Sequence, residues 1–597
     1  MQSENKTCQN CKQEFIIESE DFDFYQKIDV PPPTWCPDCR LQRRLAFFNE
    51  RTLYRRSCDL CKKNFVSIFP QDASYTVYCP ECWHSGKWDP LSYGRNYDFS
   101  KPFFLQLKKL FEDVPQIGRN VTSSTLINSD YCSSGTYLKN CYLVFNSDNN
   151  EDCMYSTYLE RSKNSLDLYM ADMCERCYDS SNLFKDFNVR FSSNCNECID
   201  VSFSKNCIGC SNCFGCVNLR NKSYCIFNEQ YSKEEYTKKI KEFDMGSFRF
   251  VQEMKGKLDE FSFGYPHKYA EGLNNSNVSG DYIFHSKNTF YSYEVGDCED
   301  CKFCHFLFVF PTKDSYDYTM WGGNAERMYE CMGTGGGAKD VRFCFNTWLE
   351  QANMEFSKDI ILGSRDIFGC AALTKKRFCI LNKQYSEKEY RDLREKIIKH
   401  IDEMPYTDSK DRAYRYGEFL PPEISPFGYN ETLAQVHFPL MKEQAEQQGF
   451  RWREEKENSY SLTIDAKNMP DNIRNAEDSI LREVIECEHR GKCNHQCPGA
   501  FKITPQELEF YRHFVIPLPR LCSNCRHYNR FFGRNSISKF WKRECQCAGL
   551  KSGNGVYGNQ TNHRHGDEHC PNEFETSYSP ERPEIVYCEQ CYNSEVA

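Results

Sequence analysis

From Asn140 to Glu229 the apolar and polar positions repeat every six residues, and the phase holds through fifteen consecutive sixes. The second place carries Cys141, Ser147, Cys153, Leu159, Ser165, Ala171, Cys177, Leu183, Val189, Cys195, Val201, Cys207, Cys213, Leu219 and Cys225, none of them charged. The first place is often Asn, as at Asn140, Asn164, Asn188, Asn206 and Asn212. A six-residue period with one small or apolar place and Asn at corners predicts a parallel β-helix. Three sixes are expected to close one triangular coil, so inward residues should stack eighteen residues apart, with ~4.8 Å between coils.

The pattern pauses and then returns. Ser232 and Glu235 form a capping box that opens the helix SKEEYTKKIKEF, and a second helical stretch follows to Phe261. The string FGCVNLRNKSYCIFNEQYSKEEY (214–236) reappears as FGCAALTKKRFCILNKQYSEKEY (368–390), a constant shift of 154. Carried backwards, the phase puts Val295, Cys301, Leu307, Ala325, Cys331, Phe343, Leu349, Ile361, Ile367, Leu373 and Cys379 inside a second, less regular solenoid. Lys313 and Glu355 break it, so insertions are expected there. Ser386 and Glu389 repeat the capping box. Elsewhere, DFSKPFFLQLKKLFED (98–113) reads as an amphipathic helix capped by Ser100, with Pro102 in its first turn.

The ends carry a different pattern. Cys8-x2-Cys11 precedes Cys36-Pro-Asp-Cys39, and Cys58-x2-Cys61 precedes Cys79-Pro-Glu-Cys82; four thiolates in two knuckles satisfy a tetrahedral zinc ion. The knuckle at Cys39 runs straight into the helix-like RLQRRLAFFNERTLY, with Leu41, Leu45 and Phe48 on one face, which favours a treble clef. The C-terminus repeats this arrangement: CKQEF matches CPGAF and FYQKIDVPPPTWCPDCR matches FYRHFVIPLPRLCSNCR at one shift of 486. The third set therefore reads Cys493, Cys497, Cys522 and Cys525, with Cys487 and His495 as alternatives. The fourth reads Cys545, Cys570, Cys588 and Cys591, with an insert offering Cys547, His563, His565 and His569. About four structural zinc ions are expected, because all-cysteine sites leave no position open for water.

The expected order is a zinc-ribbon pair (1–92), a helical connector (93–130), a solenoid (131–231), a helical segment (232–265), a second solenoid (266–385), a helical connector (386–480) and a second ribbon pair (481–597). The fold class is therefore multidomain and β-rich, with two parallel β-helix segments joined by helices and flanked by zinc ribbons or treble clefs.

Composition narrows the chemistry. Thirty-seven cysteines in repeated pairs, with no apolar leader and no run of ~18 apolar residues, point to zinc thiolates in a reducing cytosol and to no membrane. The net charge of −10 argues against a chain wrapped in nucleic acid along its whole length. Two local stretches remain basic. Arg40 to Lys63 has eight Lys/Arg against two acids, with Arg40, Arg43, Arg44, Arg55 and Arg56 as candidate phosphate contacts. Arg512 to Arg543 has eight against none, with Arg526, Arg530 and Arg534 interleaved with Tyr528, Phe531, Phe532, Phe540 and Trp541.

The solenoid cysteines divide by phase. On a flat strand, places three apart face opposite sides. Fifth-place Cys132, Cys174, Cys198, Cys210, Cys216, Cys298, Cys304 and Cys370 are thus expected to point away from the core ladder. The iron–sulfur-like run Cys207, Cys210, Cys213, Cys216 then reads as architecture. MGTGGGAKD (332–340) lacks the Lys-Ser/Thr end of a phosphate loop and reads as a corner. No nucleophile–base–acid set is legible.

WCPDCRLQRR, YGRNYDFSKPFF, PFGYNETLAQVHFPL, LPRLCSNCR and FETSYSPERPEIVYCEQCY carry a resemblance over nearly the full length to cysteine-rich zinc-ribbon and β-solenoid proteins of candidate-phylum bacteria. The resemblance implies zinc and no particular activity. The CQCAG insert before Cys570 departs from the shorter members and leaves the fourth site's first pair open. The expected function is a zinc-binding scaffold whose solenoid faces meet a protein or polysaccharide partner. One alternative is RNA or DNA binding through the basic stretches. Another is a hexapeptide-type β-helix transferase, whose sign would be His267, His285 or His305 paired with a carboxylate.

Overall fold

In the computed structural model, residues 2–454, 461–531 and 534–596 are described; Phe532 of the second basic stretch and part of the 386–480 connector lie outside them. Through 126–380 the backbone turns at nearly every third residue, where a left-handed φ recurs, as at Asn140, Leu143, Asn146, Asn149 and Asp152. Asn and Asp tolerate that conformation best among residues with a Cβ, which is why they mark the corners. Two extended residues and one left-handed residue make each side. The result is a β-solenoid of about 21 turns, flanked by cysteine clusters at both ends and joined by helices.

The turn is shorter than the expected triangular coil. Strand partners lie twelve residues apart: Thr157 pairs with Tyr169, Val201 with Cys213, and Cys213 with Cys225. With four corners per turn, the inward place recurs every third residue. The second and fifth places of the six therefore face the same interior. Cys132, Cys174, Cys198, Cys210 and Cys216 share one buried cluster with Cys141, Cys177, Cys195, Cys207 and Cys213. Cys298, Cys304 and Cys370 are likewise inside the second solenoid. The flat-strand expectation failed because a corner intervenes between the two places.

The narrow interior explains its composition. Inward Ser Oγ atoms join successive turns: Ser156 accepts from the Leu168 amide at 3.0 Å and donates to the Met154 carbonyl at 2.8 Å. Ser192 does the same with the Ser204 amide, at 3.0 Å, and the Arg190 carbonyl, at 2.8 Å. Inward thiols donate to carbonyls, as Cys198 does to Cys207 at 3.3 Å and Cys216 to Cys225 at 3.5 Å. Small side chains that can donate satisfy buried backbone acceptors that a larger residue would leave unpaired. Outside, corner amides stack, Asn206 Nδ2 donating to Asn218 Oδ1 at 2.8 Å.

The second solenoid is less regular. Thr312 pairs with Ala325 and Glu326 with Lys339, thirteen residues apart, while Cys298 pairs with Thr312, fourteen apart. The six-residue phase slips there, and three expected inward residues are displaced. Phe343 sits at a left-handed corner and packs outward among the aromatics below the N-terminal ribbons, Leu349 is exposed, and Ile361 is only partly buried. The glycines of 332–340 are such a corner: a Cβ on Gly335, at φ +140°, would meet the Gly322 carbonyl oxygen at 1.8 Å.

Both capping boxes form, at Ser232/Glu235 and Ser386/Glu389. The helix at Phe103–Asp113 starts from Pro102, not from Ser100, whose hydroxyl bonds Asp98 at 2.6 Å. The 386–480 connector is less helical than expected. Beyond the Glu387–Glu403 helix it carries short helices such as Leu433–His437 and Lys442–Gln447 within irregular chain.

Candidate metal centres

None of the 37 cysteines is in a disulfide. At each end, two knuckles bring four of them together, and in each set the ligand atoms lie within 4.8 Å of one another: Cys8, Cys11, Cys36 and Cys39; Cys58, Cys61, Cys79 and Cys82; Cys487, Cys497, Cys522 and Cys525; Cys545, Cys570, Cys588 and Cys591. Tetrahedral bonds of ~2.3 Å to one ion separate sulfurs by ~3.8 Å. Cys11 and Cys36 are 3.7 Å apart, Cys61 and Cys79 3.9 Å, Cys497 and Cys522 3.9 Å, and Cys570 and Cys588 3.9 Å. The donor sets fit a metal ion of thiolate preference.

Local structure supplies the rest. Cys36 and Cys79 are the N-caps of the Pro37–Leu45 and Pro80–Trp83 helices, each with Pro at the first turn. The positive end of a helix favours a thiolate there. In all four sets the amide of the third cysteine donates to the sulfur of the first: Cys36 to Cys8 at 3.2 Å, Cys79 to Cys58 at 3.2 Å, Cys522 to Cys487 at 3.3 Å, Cys588 to Cys545 at 3.2 Å. That shared bond identifies Cys487 as the counterpart of Cys8, in the place expected for Cys493. Sequence spacing chose Cys493 because it lies nearer Cys497. The loop between Cys487 and Cys497 instead folds back on itself, with the Cys487 amide donating to the Gly499 carbonyl at 2.8 Å.

In the first, second and fourth sets one thiol is held below its ordinary range. Hydrogen bonds from Cys36 and Cys39 hold the Cys8 thiol far below its ordinary range, and those from Cys545 and Cys591 do the same for Cys588. Burial raises Cys58, but the amides of Cys61, Cys79 and Leu60 outweigh it and bring that thiol to about 7.

Further donor side chains lie around the third and fourth sets. His489, Cys493, His495 and Cys525 form a further group whose ligand atoms lie within 4.8 Å. His489 was missed in the sequence; its signal was its place in the loop that lengthens the first knuckle. In the fourth set His565 Nε2 lies 3.4 Å from Cys591 Sγ, whereas His563 pairs with Glu595 at 2.9 Å and His569 Nδ1 faces the Cys570 carbonyl at 3.0 Å. Cys547 is buried, and Asn559 donates to its sulfur at 3.2 Å.

The candidate phosphate contacts point inward. On the Pro37–Leu45 helix, Arg40, Arg43 and Arg44 are at most 1% exposed and grip the second solenoid at Asp317 and Glu330. On and after the Ser523–Phe531 helix, Arg526 and Arg530 pair with Asp167 of the first solenoid, and Arg534 pairs with Glu294. Arg56 is buried against Asp59 and the Pro70 carbonyl. Arg55 alone among the eight is exposed, bonded to the Tyr131 hydroxyl. The aromatics follow the arginines inward: Tyr528 is buried and Phe531 packs on Tyr169 at 4.5 Å. These stretches are docking faces and not a basic strip open to solvent.

The histidines that would mark a transferase have backbone or amide partners. His267 Nε2 lies 3.1 Å from the Ser262 carbonyl, His305 faces the carbonyls of Phe303 and Ile537 at 3.1 Å, and His285 faces the Asn274 amide at 3.3 Å. Burial pushes both His267 and His305 down to about 4. The twelve-residue turn also removes the eighteen-residue coil on which that expectation rested. No helix among the described residues is long and apolar enough to cross a membrane. No protein-family model matches the sequence, and no curated protein is similar to it.

Proposed function

We propose that this chain is a zinc-stabilised scaffold that binds a protein partner along the outer faces of its solenoids. The carrying observation is an apolar strip on the first solenoid, where Phe184, Phe187, Ile199 and Ile208 are 36–49% exposed on neighbouring turns. Phe187 and Ile199 are direct strand partners, so their side chains lie side by side. Exposed apolar side chains held on a rigid face are what protein recognition uses. The burial of most candidate arginines and the net charge of −10 favour a protein over a nucleic acid.

Zinc is the ion that best suits four-thiolate tetrads with no open position, and its role in them is to fold the ribbons. The resemblance of the knuckle strings to zinc-ribbon proteins of candidate-phylum bacteria points the same way. Thirty-seven cysteines with no disulfide among them suit a reducing compartment. The test pairs wild type with Phe187→Asp/Ile199→Asp on an affinity support. The reading expects a protein retained by wild type, insensitive to nuclease and salt, and lost with the variant at unchanged thermal midpoint. Retention by both forms, or release of the bound material by nuclease, would overturn it.

A further inference from the structure

We propose that the third cysteine set is one half of a thiolate-bridged two-metal centre, in which His489, Cys493 and His495 hold a second divalent ion and Cys525 is shared by both. The proposal rests on the reading that the cysteine sets hold zinc. Two groups of four ligands meet at this one sulfur: Cys487, Cys497, Cys522 and Cys525 on one side, His489, Cys493, His495 and Cys525 on the other. Cys525 is fully buried, and it sits 3.9 Å from Cys487 and 3.7 Å from Cys493. Both distances match the ~3.8 Å edge of a zinc–thiolate tetrahedron. One sulfur is therefore a vertex of two tetrahedra.

The chain is built to bring the extra ligands there. Cys8 and Cys11 are separated by two residues, whereas Cys487 and Cys497 are separated by nine, and the added loop contains His489, Cys493 and His495. Left-handed residues Arg490, Gly491 and Gln496 fold this loop. Gln496 is anchored on both sides, donating to the Asn430 carbonyl at 2.6 Å and accepting from Asn524 at 2.8 Å. Tyr528 stacks on the His495 ring at 4.9 Å and 10°, fixing its plane, and the His489 ring lies 5.3 Å from it. His489 Nδ1 is buried without a hydrogen-bond partner, the state of a ring nitrogen reserved for a ligand bond.

The charge favours the second ion. One divalent ion among four thiolates leaves a buried double negative charge. A second divalent ion arrives with two neutral imidazoles and one further thiolate, Cys493 losing its proton to solvent, so the buried negative charge falls. Its ligand set is complete at four, which makes the second ion structural as well.

The test uses the full-length protein purified with its own metal and then exchanged with cobalt(II). Elemental analysis of His489→Gln/His495→Gln is expected to show one metal ion fewer per chain than wild type. Cys487→Ser and Cys8→Ser, which cut into whole sets, provide the reference losses. Cobalt(II) wild type is expected to give less electron-paramagnetic-resonance intensity than its cobalt content, through coupling across Cys525, and His489→Gln/His495→Gln to restore full intensity per cobalt. An unchanged metal count in His489→Gln/His495→Gln overturns the proposal while leaving the zinc reading intact. A lower count with no coupling in wild type overturns the sharing at Cys525. Unchanged counts in Cys8→Ser and Cys487→Ser overturn the zinc reading itself.

Discussion

Arg40 and Asp317, 277 residues apart, are locked together by Nε and Nη2 of the guanidinium at 2.9 and 2.8 Å from one carboxylate oxygen, with both side chains at most 1% exposed. Arg526 and Asp167 repeat the bond at the other end, Nε to Oδ2 at 2.9 Å. The arginine four residues further along each helix completes the pattern: Arg44 donates to Asp317 Oδ1 and Arg530 to Asp167 Oδ1, each at 3.0 Å. The duplication is thus crossed. The N-terminal ribbon docks on the second solenoid and the C-terminal ribbon on the first, using the same arginines on corner aspartates.

Breaking one of these pairs leaves a buried carboxylate short of its counter-charge, which costs about 3–5 kcal/mol. Arg40→Met and Arg526→Met are each expected to lose that much unfolding free energy in urea. Exposed Arg55→Met should change it by less than about 1 kcal/mol. Equal effects at Arg40 and Arg55 would refute the docking role.

Asp186 occupies an inward place, where its Oδ1 accepts from the Cys198 amide at 2.7 Å and its Oδ2 is buried without a partner. Burial pushes its carboxyl up to about 7. A folded-state value above the unfolded one means stability is full below about pH 4 and is lost as pH rises through about 7. Three turns away, Asn150 fills the equivalent place and donates its Nδ2 to the Asp148 and Leu159 carbonyls at 2.9 and 3.0 Å. Asp186→Asn is therefore expected to stabilise the protein at pH 8 by about 1–3 kcal/mol, with the gain fading towards pH 4. Urea midpoints at the two pH values measure it; a gain independent of pH would contradict the assignment.

The twelve-residue turn predicts which cysteines touch. Cys213 and Cys225 are strand partners, whereas Cys207 and Cys225, eighteen apart, lie half a turn out of phase. Double-mutant cycles with alanine should give a coupling of about 0.5 kcal/mol or more for the first pair and none for the second. The reverse result would restore the eighteen-residue coil.

Metal binding and core filling separate the two classes of cysteine. Cys36→Ser should lose one metal ion per chain and lower the thermal midpoint, while the inward Cys304→Ser should keep every metal ion. A chelator at neutral pH should lower the wild-type midpoint and zinc should restore it. Acid should act like the chelator, because thiolates must be protonated to release the ion. Metal lost from Cys304→Ser would show that inward thiols are ligands.

Much of this protein was legible from residue spacing, because that part of its chemistry is local. Two cysteines in a knuckle can reach one ion only at short spacing, so six of the eight cysteine pairs were visible as strings, whereas the long insert between Cys545 and Cys570 left the fourth set's first pair open. Ser232 and Ser386 with their glutamates announced helix starts for the same reason. The third set's first pair was not visible, because Cys487 reaches its partners through a nine-residue loop whose fold depends on Gln496, Asn430 and Asn524.

The six-residue repeat by itself established a solenoid, its duplication and its corner asparagines. It could not set the turn, since a period of six divides both twelve and eighteen. Only the left-handed residue after each pair of extended ones decides that, and it turns Ser156, Asp186 and Cys210 inward, where a flat strand would have faced them away from the second-place residues. The arginines are the other case. Eight arginines on two short stretches read as a face for phosphate, and nothing local identifies Asp317 or Asp167 as partners of Arg40, Arg44, Arg526 and Arg530. Tertiary packing brings those carboxylates across nearly three hundred residues or more, and the desolvated pairs that result are internal joints.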